Sequence, residues 1–131
     1  MNKYGFALIG SLSAIISARS YVYSGGSLNF SLLGHELHHF YYGLSLLIIA
    51  GLLRIRNKAP ESLIFFILGL GLGYIFDEFD LLLSIGNRYT MQLYDAPLNL
   101  AMDVILVLVL LRLSENRTYV HGLLRDAETV L

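Results

Sequence analysis

The stretch His35-Glu36-Leu37-His38-His39 gathers three imidazoles and a carboxylate. A second polar group, Asp77-Glu78-Phe79-Asp80, interrupts a later apolar run, and Asp103 interrupts another. Imidazole nitrogens and carboxylate oxygens without thiolates are a donor set that suits zinc or iron. The expected metal ligands are therefore His35, His38, His39, Asp77, Asp80 and Asp103. If the protein is an enzyme, a metal held there would activate water against a substrate arriving from the outer leaflet. Glu36 or Glu78 would then serve as general base. On a helix, His35 and His39 stand at i, i+4 with His38 at i, i+3 from His35, which puts all three on or near one face. Asp77 and Asp80 share a face by the same spacing.

Four apolar runs must position these residues. The first extends from Tyr4 to Tyr23, broken by Arg19. About 20 apolar residues suffice to cross a bilayer core. It is read as a retained helix rather than a cleaved signal peptide. Ser24-Gly25-Gly26-Ser27 is a loop by composition. The second helix is expected from near Phe30 or Ser31 to Ile55, closed by Arg54, Arg56, Lys58 and Pro60. The third covers Ser62 to Ile85, stopped by Gly86-Asn87. Residues 87–97 read as an interfacial loop. The fourth opens at Pro97, a favourable first-turn residue, and ends near Leu113. In the tail, Val120, Leu123, Leu124, Ala127 and Leu131 fall near helical spacing, as in a short amphipathic helix on the membrane or on a partner. Two small-residue faces, Gly10/Ala14/Ala18 and Gly69/Gly73, suit close helix approach.

Composition agrees with a bilayer environment. Of 131 residues, 56% are hydrophobic and 15% charged, and mean hydropathy is +0.63. Ordinary domains carry roughly 25% charged residues. The net charge of −1 leaves no basic field for nucleic acid. Cysteine is absent, which excludes disulfides and thiolate ligands. The sequence thus predicts an all-α fold: a four-helix transmembrane bundle over residues 1–113 with a cytoplasmic tail over 114–131. Lys3, the Arg54–Lys58 loop and Arg112/Arg117 fall on one side of the alternating spans. The positive-inside rule makes that side, and both termini, cytoplasmic.

In this topology the ionisable residues share one layer. At 1.5 Å per residue, His35–His39, Asp77–Asp80, Asp103 and Arg19 all fall in the outer part of a core about 30 Å thick. Intramembrane ionisable groups mark function by default. Three readings follow: a metal site, a proton or ion relay, or a polar lock in which histidines, carboxylates and Arg19 fix helix register. The lock reading implies a non-catalytic structural or assembly subunit, joined to copies of itself or to other membrane partners through the small-residue faces. A transporter would need polar residues continuing inward, and the inner half lacks them. Arg19 reads as a snorkelling or charge-balancing residue, Asp95 as a cap before Pro97, and His121 as a surface histidine. Tyr41, Tyr42, Tyr89 and Tyr94 read as an outer aromatic belt.

The His-x-x-His-His spacing matches one box of membrane desaturases. Those enzymes require several boxes, and four histidines cannot fill them. A broader likeness joins His38-His39-Phe40-Tyr41-Tyr42-Gly43 to Gly69-Leu70-Gly71-Leu72-Gly73-Tyr74-Ile75-Phe76-Asp77-Glu78-Phe79. The chain here resembles a family of small, mostly uncharacterised prokaryotic integral membrane proteins, over roughly residues 35–110. The resemblance implies a multi-helix membrane fold and brings no established activity.

Overall fold

The computed structural model describes residues 2–24, 30–32, 35–79 and 97–128, with side chains over 2–24, 38–79 and 97–115. Among these residues, four helices make up the body: α1 (Lys3–Tyr23), α2 (His39–Arg56), α3 (Glu61–Asp77) and α4 (Pro97–Glu128). A short antiparallel ladder, β1 (Phe30–Leu32) with β2 (His35–Leu37), precedes α2.

Local chemistry sets the helix ends. The Asn2 side chain accepts the Gly5 N–H at 3.0 Å and caps α1. Asn57 adopts the left-handed conformation (φ 49°) that closes α2, and its N–H bonds back to the Arg54 carbonyl. Pro60 precedes α3, and Glu61 in its first turn complements the helix dipole.

Three expected boundaries move, the first at the end of helix three: α3 closes at Asp77, with Glu78 as its C-cap, instead of continuing to Ile85. Helix two begins at His39, not near Phe30 or Ser31. Phe30–Leu32 and His35–Leu37 instead pair with each other, in the register Phe30↔Leu37, Ser31↔Glu36, Leu32↔His35. Only Leu33 and Gly34 separate the two segments, and short hairpin connections favour glycine. His35 therefore stands in a strand and His38 in extended backbone (φ −70°, ψ 157°), so the single helical face of three histidines does not form. The fourth helix also runs past Leu113 to Glu128 without a break, because no proline interrupts it. The C-terminal residues thus continue α4 rather than starting a separate short helix.

Packing centres on α3, which touches α1, α2 and α4. The contacts use small residues. A Cβ built on Gly71 would lie 2.8 Å from the Gly43 carbonyl oxygen, and one on Gly43 would lie 2.6 Å from the Gly71 oxygen. A Cβ on Gly69 would strike the Ala7 backbone. The α1 face of Gly10, Ala14 and Ala18 is buried. Ser11 donates to the Gly69 carbonyl at 2.9 Å across the same seam. Backbone-to-backbone approach of this kind requires residues without bulk. Both small-residue faces pack within the chain, so an oligomer would have to form through other surfaces.

The polarity of the bundle is inverted. Its largest fully buried side chains are His39, Glu78, Asn99, Asp77 and Ser11. Ile64, Leu106 and Leu110 are buried as well, but many large aliphatic residues face outward, with Ile55 80% and Ile16 62% exposed. Water-soluble domains sort these residue types the other way. Among the described residues, two helices are long and apolar enough, by length and composition, to cross a membrane: α1, and α4 over Pro97–Glu115. The other two are shorter, α2 with 18 residues and α3 with 17.

The two ends of the bundle differ in charge. One end gathers Lys3, Arg54, Glu61, Arg112 and Glu115. The Asn2 side chain also donates to the Ser114 carbonyl there, which ties α4 to the start of α1. The opposite end holds Arg19, His38, His39, Asp77, Glu78 and Asp103.

Candidate functional site

Each helix sends a polar side chain to this second end. Arg19 comes from the last turn and a half of α1. His39 opens α2, and His38 is the residue before it. Asp77 ends α3, and Glu78 follows. Asp103 enters from α4. All sit among apolar neighbours, where an ionisable group is costly unless paired and hydrogen-bonded.

The pairing forms one chain. Arg19 Nη2 donates to Asp103 Oδ2 at 2.8 Å, and Arg19 Nε lies 2.8 Å from Asp77 Oδ1. The other Asp77 oxygen, Oδ2, lies 3.0 Å from His39 Nε2. The second ring nitrogen, His39 Nδ1, is 3.3 Å from Glu78 Oε1. His38 Nδ1 approaches that same oxygen at 3.7 Å. Asp77 is wholly buried, and His39 and Glu78 are 2% exposed. The order Asp103–Arg19–Asp77–His39–Glu78–His38 thus links all four helices.

Glu78 has a further role that spacing alone did not show. His38, at the cap position of α2, makes no capping bond with its side chain. Glu78 Oε2 instead accepts the Phe40 N–H at 2.9 Å, so α3 supplies the cap for α2. A carboxylate at a helix N-terminus is also favoured by the helix dipole. One Glu78 oxygen is committed to this backbone bond, and the other faces the two imidazoles.

Of the expected ligands, His38, His39, Asp77 and Asp103 meet in this cluster. The Arg19 guanidinium already engages Asp77 and Asp103, which makes them poor first choices for a metal. The side chains of His35 and Glu36 lie outside the described residues, as does Asp80. Among the described residues, no group of three or more His, Asp or Glu side chains is assembled as a metal site. Arg19, expected as a snorkelling or charge-balancing residue and as a member of the polar lock, pairs with both Asp77 and Asp103. Sequence reading passed over Asn99, which is fully buried one turn before Asp103 on α4. The i, i+4 spacing of Asn99 and Asp103 was the available signal. Tyr74 packs its ring 6.1 Å from that of His39, and its hydroxyl lies 3.4 Å from Ser17 Oγ.

Comparison with protein-family models, curated proteins and solved structures finds no match for this chain. The resemblance to small prokaryotic membrane proteins rests on its two motifs alone.

Proposed function

We propose that the chain is a multi-pass integral membrane protein that binds a divalent cation, zinc or iron, at the outer end of its bundle. In this reading all four helices cross the bilayer and both termini are cytoplasmic. The inverted polarity of the bundle supports the membrane assignment. So does the collection of Lys3, Arg54 and Arg112 at the opposite end, by the positive-inside rule.

The observation that carries the cation reading is the setting of His39. Its Nε2 is tied to Asp77 at 3.0 Å. A metal-ligating histidine typically gives its other N–H to a carboxylate, which fixes the tautomer and leaves the remaining nitrogen as the donor. Here that nitrogen is Nδ1, and it faces Glu78 Oε1 with His38 Nδ1 beside it, at 3.3 and 3.7 Å. Donors 2.0–2.2 Å from a tetrahedral ion stand roughly 3.3–3.6 Å from one another. The 3.3 Å separation falls within that range and the 3.7 Å one just beyond it, and both exceed the 2.7–3.2 Å usual for a direct hydrogen bond. His38, His39 and Glu78 are thus the first-choice ligands. Asp77 orients His39, and Arg19 with Asp103 holds Asp77. His35 and Glu36, just upstream in the sequence, are candidates to complete the set. A bound ion would supply Lewis acidity and lower the pKa of a bound water.

A second reading has its own support. Arg19 clamps two carboxylates at 2.8 Å each, which suits a polar lock in a non-catalytic membrane subunit. Elemental analysis of the purified protein separates the two. Stoichiometric zinc or iron that disappears in His39→Ala supports the cation site. A metal-free wild type that His39→Ala destabilises supports the lock and overturns the site.

A further inference from the structure

At the basic end, the outer surface of the α1–α3 seam carries a shallow open groove of about 390 Å³. Phe6 and Ile9 line it from α1, and Ser62, Leu63 and Phe66 line it from α3. Specific ligand pockets begin at about this size, roughly 300 Å³. The groove has one apolar body and one charged end. Lys3 lies one turn before Phe6, and Glu61 lies next to Ser62. Glu61 Oε1 draws Lys3 Nζ to 3.3 Å and Arg54 Nη1 to 3.8 Å, which brings the end of α2 to the start of α3. Arg56 and Lys58 follow in the adjoining connection, both exposed. Two cations, Lys3 and Arg54, therefore meet one carboxylate, and Arg56 and Lys58 stand exposed within seven residues of it in the sequence.

We infer that this groove is a binding site for an anionic phospholipid. One acyl chain lies between Phe6, Ile9, Leu63 and Phe66, and the headgroup phosphate meets Arg54, Arg56 and Lys58. The two halves recognise the two halves of one amphiphile. Neither a free inorganic anion nor a neutral lipid uses both. Basic clusters at the cytoplasmic margin of a membrane helix attract anionic headgroups. Arginine and lysine each suit phosphate, arginine by its paired donors. The inference rests on the membrane assignment above and is independent of the cation site.

Native mass spectrometry of the detergent-purified protein tests it, with phosphatidylglycerol and phosphatidylcholine of matched chains added in turn. The wild type should retain phosphatidylglycerol over phosphatidylcholine by on the order of tenfold, given the pull of several basic side chains on an anionic headgroup. The triple variant Arg54→Gln/Arg56→Gln/Lys58→Gln should bring the two lipids to parity. Ser62→Trp, which fills the slot, should lower retention of both. Inorganic phosphate should not displace the bound lipid. Equal retention of the two lipids by the wild type, an unchanged preference in the triple variant, or displacement by inorganic phosphate overturns the inference. Failure of the membrane assignment would look different: the protein would be recovered from washed membranes without detergent.

Discussion

Arg19 and His39 each stand between two carboxylates, but at different separations. Arg19 meets Asp77 and Asp103 at 2.8 Å on both sides. His39 meets Asp77 at 3.0 Å and Glu78 at 3.3 Å, with His38 a further 3.7 Å contact on the same oxygen. The first half of the network is closed: a fixed cation joins α1, α3 and α4. The second half is looser and presents imidazole nitrogens to a shared carboxylate. A fixed charge can hold helices together, whereas an imidazole can also give its lone pair to an ion. In the reading proposed above, the arginine half would give rigidity and the histidine half would offer ligands.

The largest effect should come from breaking the closed half. Arg19→Leu leaves Asp77 and Asp103 buried without their cation, and removing one partner of a buried pair typically costs 3–5 kcal/mol. Thermal unfolding in detergent should show that loss. A change under about 1 kcal/mol would mean that Arg19 is not the clamp. Gly71→Leu comes next, because a side chain there meets the Gly43 carbonyl and Leu47. Overpacking of this kind costs about 1–3 kcal/mol. The same unfolding measurement should show it, with metal content per folded molecule unchanged.

The open half should respond in affinity, read per folded molecule because Asp77 also belongs to the Arg19 clamp. Asp77→Asn keeps the shape of the side chain but weakens its hold on His39. Loss of such an orienting carboxylate typically lowers metal affinity 10–100-fold. Competition with a chelator measures it, and unaltered affinity would remove Asp77 from the orienting role. Glu78→Gln can still accept the Phe40 N–H through its amide oxygen. It should therefore cost only about 0.3–1 kcal/mol of stability, the value of the charge at the helix end, while metal content falls. Equal metal content in this variant and the wild type would exclude Glu78 as a ligand. The smallest effect belongs to Lys3→Gln. The Lys3–Glu61 contact is solvent-facing, and such pairs contribute about 0–1 kcal/mol.

How far the sequence could be read follows from the range of each determinant. Pro97 marks the start of α4, and Arg54 and Arg56 mark the end of α2, because end signals act over a few residues. The Gly10/Ala14 and Gly69/Gly73 faces were visible as spacing, and they pack against each other. That Arg19, Asp77 and Asp103 would meet followed from depth along separate helices. The start of α2 was not legible, since Phe30–Leu37 is apolar enough for a helix and its ladder depends on strand pairing. The capping of α2 by Glu78 was equally hidden, because the donor and acceptor lie 38 residues apart. Asn99 carried a weak signal, a single amide in an apolar run, and acquires meaning only from its complete burial.

The length of α4 has a mechanical consequence. Its 32 residues span about 48 Å, against the roughly 30 Å of a bilayer's hydrocarbon layer. In the topology proposed above, with Pro97 near the outer surface, the last turns of this helix would stand clear of the lipid on the inner side. They would form a stiff post rising on the order of 20 Å from Glu115 to Glu128. Cargo fused behind Glu128 would be held away from the headgroups by a strut rather than a tether, and its distance from the bilayer would follow the tilt of a single helix.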